Sequence, residues 1–213
     1  MKLLHGFSRR VTAISLTAAL LVSSAAGCVA VNPEPVETEV TGVKAGKYVL
    51  DRHHATVLFK VQHMGLAPYV GRFNDFDATL ELDGLNPAAA RVSATIATAS
   101  LDVNYPDFAK QLIGKDWFDS AAFPQAVFES TEIRWADERH ATVRGNLTLL
   151  GVSAPIEMQV TFIGATRHVI TGTYTLGFSA VSRIRRSAFG LDKLIPVVAD
   201  ETEIEIHAEF QLQ

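Results

Sequence analysis

Two groups of side chains in this sequence have the chemistry to hold a polar ligand. Three histidines fall between residues 53 and 63, and three arginines fall between residues 183 and 186. An imidazole such as that of His54 or His63 can bond a quinone or phosphate head, and forked guanidinium groups such as that of Arg186 can clamp a pyrophosphate. The ordinary alternatives are a histidine that ties a strand end to a backbone group and a solvated basic loop. The histidine spacing fits no usual zinc site, so we expect no metal.

The sequence lacks the usual motifs of catalysis. No Gly-x-Ser-x-Gly elbow, His-Glu-x-x-His, Walker loop or Gly-x-Gly-x-x-Gly is present. The one strong nucleophile, Cys28, lies within an apparent export signal. We therefore expect a protein without enzymatic activity and without a cofactor, while a hydrolase with a dispersed site stays open.

The first 27 residues have the three zones of a secretory signal. Lys2, Arg9 and Arg10 precede an apolar run over residues 11–22. This run is too short to span a bilayer, because a membrane-spanning helix needs about 20 residues. Small residues then lead to Cys28, the only cysteine, so no internal disulfide can form. We predict that residues 1–27 are a signal peptide and that the protein is exported.

The segment before Cys28 resembles the lipobox of bacterial lipoproteins. The resemblance implies lipidation of Cys28, and Val29 in place of Asp is similar to the outer-membrane sorting pattern. The protein would then be periplasmic and anchored to the outer membrane by lipid. Ala25 departs from the usual Leu, so ordinary cleavage after Ala26 or Ala30 stays an alternative.

Charge and composition narrow the partners. Loss of the leader leaves 16 of the 19 basic residues against 23 acidic ones, so the mature protein is acidic and we expect no nucleic acid partner. Residues 28–46 are rich in Pro, Glu, Thr and Val without periodicity, which predicts a flexible tether or a frayed terminus. The remaining residues, 47–213, suffice for one well-cored domain.

Alternation of apolar and polar residues dominates from Tyr48 onward. It is clearest over 76–83 and 203–212, and similar stretches recur to give about eight antiparallel strands. Pro106 to Ala122 predicts a short helical insertion with its aromatic residues turned inward. Such strands form a sandwich or a barrel, and closure of the sheet edges favours the barrel. Periodicity alone does not decide whether the interior is hollow.

An ordered series of short segments is similar to one known family. The segments run from Tyr48-Val49-Leu50-Asp51 through Asp116-Trp117-Phe118-Asp119 and residues 145–152 to Arg186-Ser187-Ala188-Phe189-Gly190-Leu191. Together they resemble the YceI-like family of bacterial lipid-binding proteins over nearly all of residues 47–213.

This resemblance implies an all-β, lipocalin-like closed antiparallel barrel whose apolar tunnel holds a long isoprenoid or other amphiphilic lipid. Ala188 and residues 108–112 depart from the family's polar pattern, which leaves the head-group preference open. A sequestering protein for amphiphilic toxins or antibiotics, and a stress-related interaction module with a filled barrel, are the alternatives. A homodimer also stays open. The candidate ligand-binding residues, each of which ordinary core packing would explain equally well, are Phe59, Val61, His63, Phe73, Leu112, Trp117, Phe118, Phe128, Leu147, Met158, Phe162, Leu176, Phe178, Arg186 and Phe189.

Overall fold

A computed structural model describes residues 34–83 and 86–213. The predicted signal peptide, Cys28 and the first part of the predicted tether lie outside these described residues, so those predictions stay predictions. Within the described ranges, no helix is both long and apolar enough to pass through a membrane.

The described part of the chain is almost entirely β-sheet, as the alternating pattern predicts. Pro106 begins the short helix, at a position where its missing N–H costs no hydrogen bond. The elements are β1 (Gly46–His63), β2 (Ala67–Phe73), β3 (Phe76–Leu82), β4 (Arg91–Ala97), β5 (Leu101–Asp102), α1 (Pro106–Leu112), β6 (Gln125–Trp135), β7 (His140–Leu149), β8 (Val152–Arg167), β9 (Tyr174–Arg185) and β10 (Val198–Leu212).

Eight of these strands close into an antiparallel barrel. Their order around the wall is β1, β3, β4, β6, β7, β8, β9, β10, and β10 then pairs with β1. At this closing seam Ile204 lies opposite Phe59 and Ile206 lies opposite Val57. The closed seam excludes the sandwich and confirms the predicted fold class.

β1 is long enough to have two partners along one edge. Its first residues pair with β3, where Tyr48 lies opposite Leu80, and its last residues pair with β2, where Phe59 lies opposite Gly71. The two-residue strand β5 pairs antiparallel with the last residues of β2, where Phe73 lies opposite Leu101. One end of the barrel wall is therefore completed by β2, β5 and α1 rather than by β3 and β4.

Residues 34–45 pack against the other end of the barrel. Glu37 exchanges two backbone hydrogen bonds with Ala165, at N···O distances of 2.8 and 2.7 Å, and the Val40 N–H donates to Glu138 O at 3.0 Å. Val40 and Val43 are only 2% and 5% exposed. The predicted tether therefore does not extend to residue 46, because its second half is part of the folded domain.

Candidate functional site

A cavity of about 580 Å³ runs inside the barrel. Its wall is formed by the inward-facing alternate residues of the strands, such as Ala78, Leu80 and Leu82 of β3, together with residues of α1. This volume lies within the roughly 300–1,000 Å³ typical of small-molecule sites. The interior is therefore hollow, which the sequence pattern had left undecided.

Alanines make room for the cavity. Ala78 and Ala94 lie opposite each other on β3 and β4, and Ala180 and Ala208 are also in the wall. Gly145 has a different role. A Cβ on Gly145 would overlap the Phe128 ring and the Glu129 carbonyl, so Gly145 permits close packing rather than opening space.

One end of the barrel is closed by mutual packing of large side chains, which we call the closed pole. Tyr48, Phe162 and Leu176 are each 0% exposed, and Val40 and Val43 pack in the same cluster. The Tyr48 hydroxyl donates to Lys44 O at 2.6 Å, and burial raises the pKa of this phenol. Phe162 and Leu176 fill this pole and do not line the cavity.

The opposite end, which we call the open pole, carries the mouth of the cavity. His63, Gln111 and Leu194 are exposed to solvent and also line the cavity. Phe108 and Trp117 of the helical insertion line the same end. The mouth therefore lies between β1, α1 and the loop that leads into β10.

Twelve of the predicted site residues line the cavity, and three do not. Phe189, which is 1% exposed, packs in a separate cluster with Ile184 and Leu191. Phe162 and Leu176 belong to the closed pole, so these three are corrections to the wall list. The twelve that line the cavity are Phe59, Val61, His63, Phe73, Leu112, Trp117, Phe118, Phe128, Leu147, Met158, Phe178 and Arg186. Their contact with a ligand stays a prediction.

The list also omitted many small and aliphatic wall residues. Alternation along the strands could have identified most of them, because each of these lies two residues from another wall residue on the same strand. Examples are Val57, Ala94, Ile96, Ile133, Val143, Ile156, Val160, Ile204 and Ile206. Gln111, on α1, and Leu194, in the loop before β10, lie outside the strands and had no such signal.

Arg186 has a structural role at the wall. Its guanidinium is bonded to three backbone carbonyls: Nε donates to Ala199 O at 2.8 Å, Nη2 to Val198 O at 2.9 Å, and Nη1 to Leu191 O. Burial lowers the pKa of this side chain, which is only 8% exposed. These bonds fasten the loop over the mouth to the barrel.

The three arginines do not converge on one ligand. Arg183 faces outward on β9 and pairs with Glu203 at 2.9 Å, and Arg185 is exposed two residues further on the same face. Of the two interpretations that the sequence left open, the pyrophosphate clamp is therefore not formed, because strand alternation and the Arg186 hydrogen bonds separate the three groups.

The histidines are separated along β1. His54 and His63 are nine residues apart on one strand, roughly 30 Å at 3.3 Å per residue, so they cannot hold one head group. His54 Nδ1 lies 3.0 Å from Asp51 Oδ2, and this hydrogen bond raises the pKa of His54 and lowers that of Asp51. Glu209 lies close to both groups. The Gln211 amide also donates to Asp51 at 2.7 Å, which accounts for the arrangement without an ion.

The polar groups of the wall are few, and several are already bonded within the protein. Thr98 donates to Phe123 O at 2.7 Å and Ser182 to Glu157 O at 2.7 Å. The rest of the wall is almost wholly aliphatic and aromatic. Such a surface can bind a hydrocarbon chain by removing it from water, and it presents few groups for polar recognition.

Comparison with known proteins gives the family. Residues 48–210 match the YceI-like domain. The chain belongs to the YceI-like family. A UPF0312 protein of Yersinia pestis is 35% identical over 167 residues, which cover 78% of this chain and 86% of that protein.

Solved structures of similar fold agree with this YceI-like assignment. BcnA of Burkholderia cenocepacia is 31% identical, with a TM-score of 0.68, over 75% of this chain and 98% of that one. A polyisoprenoid binding domain from Saccharophagus degradans, implicated in plant cell wall breakdown, has a TM-score of 0.61 at 13% identity, over 80% of this chain and all of that one. At that identity the likeness concerns the fold alone.

Proposed function

We propose that this YceI-like protein binds one long isoprenoid-like or other amphiphilic lipid inside its barrel, as a carrier or store and without catalysis. The observation that carries the proposal is the cavity of about 580 Å³, lined almost entirely by apolar side chains and open at one pole. The polyisoprenoid binding domain of S. degradans has the same fold, which supports this class of ligand.

Hydrocarbon burial supplies the affinity. Each CH₂ removed from water contributes about 0.8 kcal/mol, so ten buried methylenes contribute roughly 8 kcal/mol, near micromolar binding. Apolar contacts have no direction, so we expect loose selectivity along the tail. The polar head would lie at the mouth, near His63 and Gln111, where water reaches it.

The open cavity favours a binding role over the interaction module with a filled barrel. Sequestration of amphiphilic toxins or antibiotics uses the same cavity and is the second candidate. Competition between an isoprenoid alcohol and such compounds for the purified protein ranks the two.

The proposal for the protein's location rests on the sequence alone. We propose export and lipid attachment at Cys28, because the small residues and the apolar run before it have the pattern of a lipoprotein signal. Five residues lie between Cys28 and Glu34, which allows a reach of about 20 Å. Glu34 O accepts a hydrogen bond from Thr166 at the closed pole. Mass spectrometry of the mature N-terminus tests this proposal, and an unmodified terminus beyond Cys28 would contradict it.

Lipid extraction tests the binding proposal directly. Protein purified from its own host should carry a stoichiometric apolar lipid, detected by native mass spectrometry and identified in the extract. The double variant Ala94→Leu with Ala180→Leu adds side-chain volume inside the cavity and should lose most of this lipid while remaining folded. The control Ala121→Leu changes an exposed alanine outside the cavity and should keep it. A wild-type protein without lipid, or a cavity variant with undiminished lipid, would refute the proposal.

A further inference from the structure

Exposed apolar side chains cluster at the open pole on two neighbouring loops. One loop is the turn between β1 and β2, and the other leads into β10. We call this cluster the apolar tip; its members are Met64 (59% exposed), Leu66 (81%), Leu194 (59%), Ile195 (37%) and Val197 (54%).

The two loops form one preformed surface. The Met64 N–H donates to Val197 O at 2.8 Å, and His63 pairs with Val198 in the adjoining strands. Met64 and Leu194 have φ angles of 54° and 63°, in the left-handed region where glycine or asparagine is usual. Large apolar residues are thus present at the loop positions least suited to them, which needs a reason other than turn formation.

The apolar tip is continuous with the cavity. Leu194 is exposed and also lines the cavity, and His63 and Val198, beside the tip residues, line it too. No charged residue occurs over 61–71 or 194–199. A hydrocarbon chain that leaves the cavity along these two segments therefore passes over apolar side chains, while the charged pair of Lys193 and Asp116 lies beside Trp117.

The closed pole shows the contrast. Its exposed apolar residues are Val36, Ile163, Val169 and Ile170, and none of them lines the cavity. The N-terminal segment also joins the domain at that pole through Glu37 and Ala165. A chain held from its N-terminal side leaves the apolar tip unobstructed.

We propose that the apolar tip inserts into the surface of a lipid bilayer, so that lipid enters and leaves the barrel while the mouth lies against the membrane. Contiguous exposed apolar patches mark contact surfaces, and side chains of this type enter the interface between head groups and acyl chains. This proposal rests on the proposed lipid-binding function for its purpose, because a water-insoluble ligand must come from a membrane.

Vesicle flotation tests the docking. All proteins carry Cys28→Ser, so that no acyl chain at that residue contributes, and comparison within one background cancels any effect of the residues before Glu34. The Cys28→Ser protein without further change, which serves as wild type here, should float with phosphatidylcholine vesicles. Leu66→Asp and Val197→Asp, at positions that do not line the cavity, should each reduce the vesicle-bound fraction at least about tenfold, because charge replaces an inserted apolar group. The matched control Ile170→Asp, at a site that is 86% exposed on the other pole, should float as wild type does.

Transfer of a fluorescent isoprenoid alcohol from protein to vesicles gives the second readout. The rate should rise in proportion to vesicle concentration and fall about tenfold in the two tip variants, with unchanged probe binding in solution. Equal flotation of wild type and tip variants, or a wild type that stays in solution, would overturn the docking proposal. If light scattering showed dimers that the tip variants lose, and no protein floated, the docking proposal would be overturned, and the partner of the apolar tip would be a second copy of the chain. Tip-dependent flotation of a protein that binds no lipid would leave docking intact and refute only the binding function.

Discussion

Both poles of this barrel contain large apolar residues, and they differ in how completely those residues are buried. At the closed pole Tyr48, Phe162 and Leu176 bury one another completely. At the open pole Leu194 and His63 remain exposed, and the loop above the cavity depends on one buried arginine. Apolar side chains thus stabilise the fold at one end and are left available for a ligand or a membrane at the other.

Truncating one phenylalanine at each pole tests whether the two poles differ in packing. Phe162→Ala should lower the free energy of unfolding by about 3–5 kcal/mol, because it leaves a cavity where the side chains are tightly packed. Phe108→Ala should cost less than about 2 kcal/mol, since this half-buried ring already borders the lumen. Urea unfolding of both variants measures the difference. Equal losses would show that the open pole is packed as tightly as the closed one.

The second prediction concerns the loop over the mouth. Arg186→Met removes the donors to the carbonyls of Leu191, Val198 and Ala199, and should destabilise the protein by about 2–4 kcal/mol. Hydrogen exchange over residues 187–199 should rise by more than exchange at the closed pole.

The control for that prediction is Arg183→Met, which breaks a surface pair with Glu203 and should cost less than about 1 kcal/mol. If Arg186→Met were equally mild, the arginine would be free to serve a ligand head instead of the loop.

A weaker effect is the pH dependence that comes from the pair of exposed His54 and partly buried Asp51 on β1. Their hydrogen bond raises the pKa of His54 and lowers the pKa of Asp51. The bond therefore adds stability that is lost as the pH rises from about 6.5 through the raised pKa of His54. It is lost at the other side as the pH falls from about 4 through the lowered pKa of Asp51.

Proton NMR titration of His54 checks the pair. Asp51→Asn should bring the pKa of His54 down toward about 6.5, whereas Asp75→Asn, which removes the partner of Arg52, should leave it unchanged. If Asp51→Asn left the pKa of His54 unchanged, the pair would not form in solution.

Much of this structure could be predicted from residue periodicity, because strands with one apolar face must turn that face inward. The alternation over 203–212 predicted β10, and Phe108, Leu112, Trp117 and Phe118 do turn inward from the helical insertion. The alternating stretch at about 54–63 predicted only the second half of β1, which begins at Gly46. The short strand β2, with Pro68 and Gly71, was not predicted as a strand, because these residues are tolerated only at an edge or beneath a ring such as that of Phe59.

The all-β class and the family could be predicted from the residues alone, because alternation and an ordered series of motifs are local properties of the chain. The packing of the whole barrel, by contrast, fixes which apolar residues plug it and which surround empty space. Phe162 and Phe178, for example, follow the same alternating pattern on paired strands, with ring centroids 5.3 Å apart, yet only Phe178 lines the cavity. The physical reason is that a lumen depends on the summed volumes of residues from every strand at one height, which no single strand records.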